Sequence, residues 1–152
     1  MKHNFEKLVY NGAWFGKLEV VFNGVKCNID LQIDGYDETC VPEDGKEALN
    51  SFLQCMQSLE FYIGDETLKY YKKLRKQLGY DVDKNEDYPF VDSAESILGM
   101  INLVGIIIPD QDDYEDRAIA LAFDCSWDKE NGLGICFVGN KIIDIGYQDV
   151  AL

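Results

Sequence analysis

Asn23-Gly24 lies between two ten-residue stretches that alternate in polarity, residues 13–22 (AWFGKLEVVF) and 25–34 (VKCNIDLQID). Asn-Gly is the dipeptide favoured in a two-residue type I′ turn, where both central residues take positive φ. Such a turn pairs Phe22 with Val25. It then sets Val20 against Cys27, Leu18 against Ile29, Gly16 against Leu31 and Trp14 against Ile33, all on one face. The other face sets Lys17 against Asp30 and Glu19 against Asn28. A slip of one residue would send every apolar side chain to the wrong side, so turn chemistry and alternation agree on a single register. Residues 4–10 add a third strand through the turn signal Asn11-Gly12.

The period changes after Pro42. Leu49, Phe52, Leu53, Met56, Leu59 and Ile63 recur at helical spacing, with Glu47, Asn50, Gln54 and Gln57 between them. Gly64-Asp65 then predicts a break or a bend, with Asp65 able to cap a second helix that runs to Gly79 on the stripe Leu68, Tyr71, Leu74 and Leu78. The outer face of this second helix holds Lys69, Lys72, Lys73, Arg75 and Lys76. Residues 80–92 read as an acidic loop. Asp92 and Glu95 have the spacing of a capping box for a short helix over 93–100. Residues 103–108 form an apolar strand stopped by Pro109, and residues 110–116 a second acidic loop. Residues 117–125 alternate Ile119, Leu121, Phe123 and Cys125 with Ala118, Ala120 and Ala122, and residues 133–138 and 141–146 flank the turn signal Gly139-Asn140. Strands, then helices, then strands predict a single α+β domain over residues 1–152, with a mostly antiparallel sheet and a central helical segment.

Charge narrows the function classes. Twenty-eight acidic residues against fourteen Lys and Arg give a formal net charge of −14. That field repels phosphate backbones and anionic lipid surfaces, so nucleic acid and membrane are excluded as partners and a cationic protein is favoured. The longest apolar run, residues 103–109, is too short to cross a bilayer. Residues 1–7 (MKHNFEK) lack the apolar core of a signal peptide. The five cysteines, Cys27, Cys40, Cys55, Cys125 and Cys136, contain no CxxC pair and fit reduced thiols in the cytoplasm.

Motifs for catalysis are missing. His3 is the sole histidine, so any Ser–His or Cys–His pair would have to use it. No G-x-S-x-G, P-loop or dinucleotide-binding glycine pattern occurs. Asp81-x-Asp83-x-Asn85, with Asp92 at the twelfth position, resembles the start of a calcium loop. However, Glu86 stands where the sharp turn needs Gly, and Pro89 lies inside it. The chain therefore reads as a non-enzyme with no cofactor and no metal.

The remaining signal is an uneven distribution of charge. Residues 80–116 carry eleven acids and one base, Lys84, directly after the five-cation helix face. A stretch of this kind is either a solvated surface, in part neutralised by the neighbouring cations, or a docking surface for a basic partner. Trp127-Asp128-Lys129-Glu130-Asn131-Gly132 forms a corner between strands, where Trp127 is either a core plug or an exposed anchor among carboxylates. The candidate partner-binding set is Asp110, Asp112, Asp113, Glu115 and Asp116 from the loop, with Trp127, Asp128 and Glu130 from the corner.

Several segments together resemble a group of small bacterial domains of uncharacterised function. They are Ala13-Trp14-Phe15-Gly16, Ala48-Leu49-x-x-Phe52-Leu53, Tyr70-Tyr71, Phe123-Asp124-Cys125-x-Trp127-Asp128-x-Glu130-x-Gly132-Leu133-Gly134, and Ile145-Gly146-Tyr147-Gln148-Asp149. Asn131 stands where that corner usually carries His. In size and charge such domains are similar to immunity proteins of polymorphic-toxin and contact-dependent inhibition systems. The resemblance implies a protein partner that is a basic toxin, such as a nuclease. The alternative is a non-catalytic adaptor or subunit of a bacterial pathway.

Overall fold

A computed structural model describes residues 5–79 and 81–151. Seven strands form one sheet in sequential order: β1 Val9–Tyr10, β2 Trp14–Phe22, β3 Val25–Ile33, β4 Ile101–Ile108, β5 Ala118–Cys125, β6 Leu133–Val138 and β7 Lys141–Gly146. Every neighbouring pair is antiparallel except β3 with β4. The β2–β3 register is the one that the turn dictates, from Phe22↔Val25 to Trp14↔Ile33. Asn23 (φ 50°) and Gly24 (φ 74°) hold the positive φ that this turn requires. The third strand is much shorter than residues 4–10: β1 has two residues, paired through the 11–12 turn to Trp14 and Phe15.

One long helix, α1 Glu43–Leu78, opens the connection from β3 to β4. The helical crossover lets those two strands run parallel. No break occurs at Gly64. A Cβ there would lie 2.9 Å from Leu98 Cγ and 3.0 Å from the Ala94 carbonyl oxygen. The glycine therefore marks the close approach of a second, short helix, α2 Ala94–Leu98, and the cost of about 1 kcal/mol for Gly inside a helix is offset by that packing. Ser93, not Asp92, caps α2: the Ser96 N–H donates to Ser93 Oγ at 3.1 Å, while Asp92 pairs with Lys72.

The 36 residues of α1 span about 54 Å, roughly twice the length of an eight-residue strand, so its C-terminal end extends past the sheet. The stretch from Leu49 to Ile63 covers one face. Leu49, Phe52, Met56 and Ile63 pack with Ile29, Leu31 and Ile33 of β3, Ile106 and Ile108 of β4, Leu121 and Phe123 of β5, and Phe137 of β6. Phe52 and Phe137 meet edge-on at 5.2 Å. The opposite face of the sheet is built from small residues, Gly105, Ala120, Ala122 and Gly134. A 3₁₀ turn, Gln148–Ala151, lies across it, with Ala151 packed among Ile107, Ala120 and Ala122. A Cβ on Gly134 would sit 2.6 Å from the Tyr147 carbonyl and 2.7 Å from Val150 Cγ2, so this strip is cut to receive the turn.

Candidate functional site

Parallel pairing of β3 and β4 sends both C-terminal ends to the same pole, and the start of α1 and the β4–β5 loop go with them. Asp34 N–H donates to the Ile108 carbonyl at 2.9 Å, which ties the two strand exits together. Residues 34–47 carry six acids against Lys46, and residues 110–117 carry five against Arg117. Lys46 sits 3.6 Å from Glu43. Arg117 is turned inward. Its guanidinium donates to Ser51 Oγ (2.7 Å) and the Gly139 carbonyl (2.8 Å), also bonds Asn140, and lies over the Phe52 ring at 5.4 Å. The two cations within these segments are therefore engaged, and among the described residues no ion pair involves Asp110, Asp112, Asp113, Glu115 or Asp116.

The loop that presents these carboxylates is fixed. Gln111 Nε2 donates to the carbonyls of Pro109 (2.8 Å) and Ala118 (2.9 Å), and its Oε1 accepts the Ala118 N–H at 2.9 Å. One amide side chain thus clamps both ends of the loop. Asp110 accepts the Asp112 N–H, and Asp116 the Arg117 N–H, leaving the side chains of Asp112, Asp113 and Glu115 exposed. On the neighbouring 34–47 segment, hydrogen bonds from the Thr39 hydroxyl, then its backbone N–H, then the Cys40 thiol hold the Asp37 carboxyl below its usual range. A surface of held, unneutralised carboxylates attracts cationic groups without first having to break an internal pair.

The other half of the candidate set is elsewhere. The corner residues Trp127, Asp128 and Glu130 follow the C-terminal end of β5, and the loop precedes its start, about 24 Å away along eight residues. The strand between them is covered on both faces from Ala118 to Phe123, so no continuous surface along it joins the two. Trp127 is 4% exposed, and its ring meets Tyr71 at 4.9 Å, so it is a plug and not an anchor. Asp128 uses both carboxylate oxygens on Asn131, accepting its backbone N–H (3.1 Å) and its side-chain amide (2.9 Å), which shapes the turn. Glu130 is exposed beside it.

The first acidic loop is tied in part to α1. Asp83 pairs with Arg75 at 2.7 Å and Asp92 with Lys72 at 2.9 Å, so two ligand positions of the calcium-like pattern hold cations of α1. Arg75 also donates to the Tyr88 carbonyl, and the Tyr71 hydroxyl to that of Pro89, which seats the loop on the helix overhang. Two cations of the basic face thus answer two of this loop's five acids, whereas none of the acids in 110–116 is paired among the described residues.

This arrangement matches a family model, Domain of unknown function (DUF6985), over residues 4–152. The chain belongs to that family. No curated protein and no solved structure matches it. In this DUF6985 domain burial pushes the Cys125 thiol up to about 11 and raises that of Cys136. Among the described residues no group of three or more His, Cys, Asp or Glu is placed to hold a metal ion, and no helix is long and apolar enough to cross a membrane. His3 lies outside the described residues.

The residues 34–47 were not singled out by sequence reasoning. The signal was available: a helical stretch joining two strands is a crossover, and a crossover brings the loops at both strand exits to one end.

Proposed function

We propose that this chain is an immunity-type protein of the bacterial cytoplasm, which binds a cognate basic toxin domain and blocks it without catalysing a reaction. The observation that carries the proposal is the contrast between two acidic surfaces. Two of the five acids in the 80–92 loop, Asp83 and Asp92, pair with cations of α1, whereas among the described residues none of the five acids in 110–116 has an ion pair. A nuclease needs cationic side chains to grip phosphates, and a rigid carboxylate surface competes for those side chains while speeding encounter. Trp127 drops out of the interface. Asp110, Asp112, Asp113, Glu115 and Asp116 stay in it, joined by Asp37, Glu38, Asp44 and Glu47.

The test begins with the product of the gene encoded beside this one. It should inhibit growth when expressed alone and be silenced by this protein in the same cell. The triple reversal Asp112→Lys, Asp113→Lys and Glu115→Lys should leave the melting temperature within about 6 °C, since each surface substitution shifts stability by about 0.5 kcal/mol or less. It should also slow association at low salt by tenfold or more and flatten its salt dependence. An unchanged association rate removes the loop from the interface. A non-toxic neighbour that still binds favours the adaptor reading.

A further inference from the structure

Sheets end in edges, and this one protects its edges unequally. On β7 the Ile142 N–H donates to the Tyr62 hydroxyl at 3.0 Å, and an irregularity in register between Cys136 and Phe137 breaks the flatness of the strand. At the other side β1 covers only Trp14 and Phe15 of β2. Leu8 adds cover as far as Gly16, where a Cβ would strike its side chain at 2.4 Å. From Lys17 to Phe22 no described strand pairs with that side of β2. In a two-residue hairpin the turn-flanking pair is hydrogen-bonded and alternate pairs follow it. Phe22, Val20 and Leu18 therefore face β3, while Val21, Glu19 and Lys17 turn their N–H and C=O groups outward.

Beside that edge runs a groove of about 330 Å³ between β2 and α1. Val20, Leu53 and Met56 give it an apolar floor, and Asn50, Gln54 and Gln57 line its helical wall. The Asn50 Oδ1 is buried with no hydrogen-bond partner among the described residues. Glu60 closes the far end by accepting the Asn23 N–H at 3.0 Å, Glu19 stands on the rim, and Glu47 lies one helical turn before Asn50. No basic residue lines the groove.

We propose that the open edge of β2, Lys17–Phe22, and the groove facing Asn50–Gln57 receive an extended strand of a partner protein, with apolar side chains at alternate positions and Lys or Arg between them. Main-chain groups of Val21, Glu19 and Lys17 supply the ladder. Leu53 and Met56 take the inward apolar side chains, and Asn50 gives its free oxygen to a donor of the incoming strand. Glu19 and Glu60 select cationic residues. The same charge, within a net −14, opposes a second copy of this chain as the occupant. This surface is distinct from the 110–116 loop, so either stands or falls without the other.

A ten-residue synthetic peptide alternating Leu or Val with Lys tests it, followed by fluorescence anisotropy and by amide shifts in the protein. Expected are saturable binding and shifts concentrated at residues 17–22 and 50–57. Methylating the peptide nitrogens along one edge should weaken binding at least tenfold, although charge and composition are unchanged, and a Glu-for-Lys peptide should not bind. Val21→Pro removes only an outward N–H, a place where edge strands tolerate proline, and should weaken binding at least tenfold. Should that variant misfold, the methylated peptides on the wild-type protein decide alone. Equal affinity of methylated and unmethylated peptides, shifts confined to residues 110–116, or no binding would each overturn the proposal. So would a wild-type dimer in sedimentation that Val21→Pro dissolves.

Discussion

Trp127→Ala separates a plug from an anchor by where the free energy is lost. The side chain is 4% exposed and packs against Tyr71, whose own ring is fully buried and whose hydroxyl donates to the Pro89 carbonyl. Truncation removes the indole from water-free packing and leaves a cavity between α1 and the sheet corner. Buried Trp→Ala substitutions cost about 3–5 kcal/mol. For a domain of this size each kcal/mol lowers the melting temperature by about 2–4 °C, so a fall of about 6–20 °C is expected. Urea denaturation followed by far-UV circular dichroism gives the free energy directly, with an unchanged m-value confirming that only stability moved. Trp127→Phe keeps most of the ring volume and should recover more than half of the loss. A loss below about 0.5 kcal/mol, the range of surface sites, would refute the reasoning and return Trp127 to the surface as an anchor.

Two further outcomes follow from the same packing. Gly64→Ala should destabilise by about 1–3 kcal/mol in urea melts, against the helix propensity that favours Ala, because its Cβ meets Leu98 and the Ala94 carbonyl; a stabilised variant would mean that α2 does not pack there. Alkylation with iodoacetamide at pH 8, read by mass spectrometry, should label exposed Cys40 first. Cys125, buried and with its thiol pushed up to about 11, has roughly one thiolate in a thousand at that pH and should react only on unfolding; the sign is that raising pH through 11, not lowering it, would expose its reactivity.

What the chain discloses on reading depends on how local the deciding physics is. The Asn23-Gly24 hairpin could be read to the residue because its turn and its alternation act over twenty neighbouring positions. Gly64 was misread as a break because what decides it is a helix thirty residues later, arriving where a side chain would stand. The alternation of Ala118, Ala120 and Ala122 marked a strand but gave no sign of the 3₁₀ turn laid over it, since small residues look alike whether they face solvent or another segment. The acidic pole was half legible. Residues 110–116 stand out by density, whereas Asp37, Glu38, Asp44 and Glu47 join them only through the parallel β3–β4 junction. Which acids are neutralised was not legible, because Arg75–Asp83 and Lys72–Asp92 form only once the 80–92 loop folds back on α1.

That parallel junction also governs how the domain assembles. All other strand pairs are hairpin neighbours, closed by connections of two to nine residues, and each can zip up from its own turn. Asp30 and Gly105 must instead find each other across α1 and both loops. Closure entropy grows by about 0.6 kcal/mol for each doubling of loop length, and it is paid before the contacts reward it. The β2–β3 hairpin and the β4–β7 meander are therefore two quickly formed halves waiting on one slow encounter. Substitutions at the seam, such as Leu31 or Ile106, should slow refolding, while those in the outer hairpins should chiefly hasten unfolding.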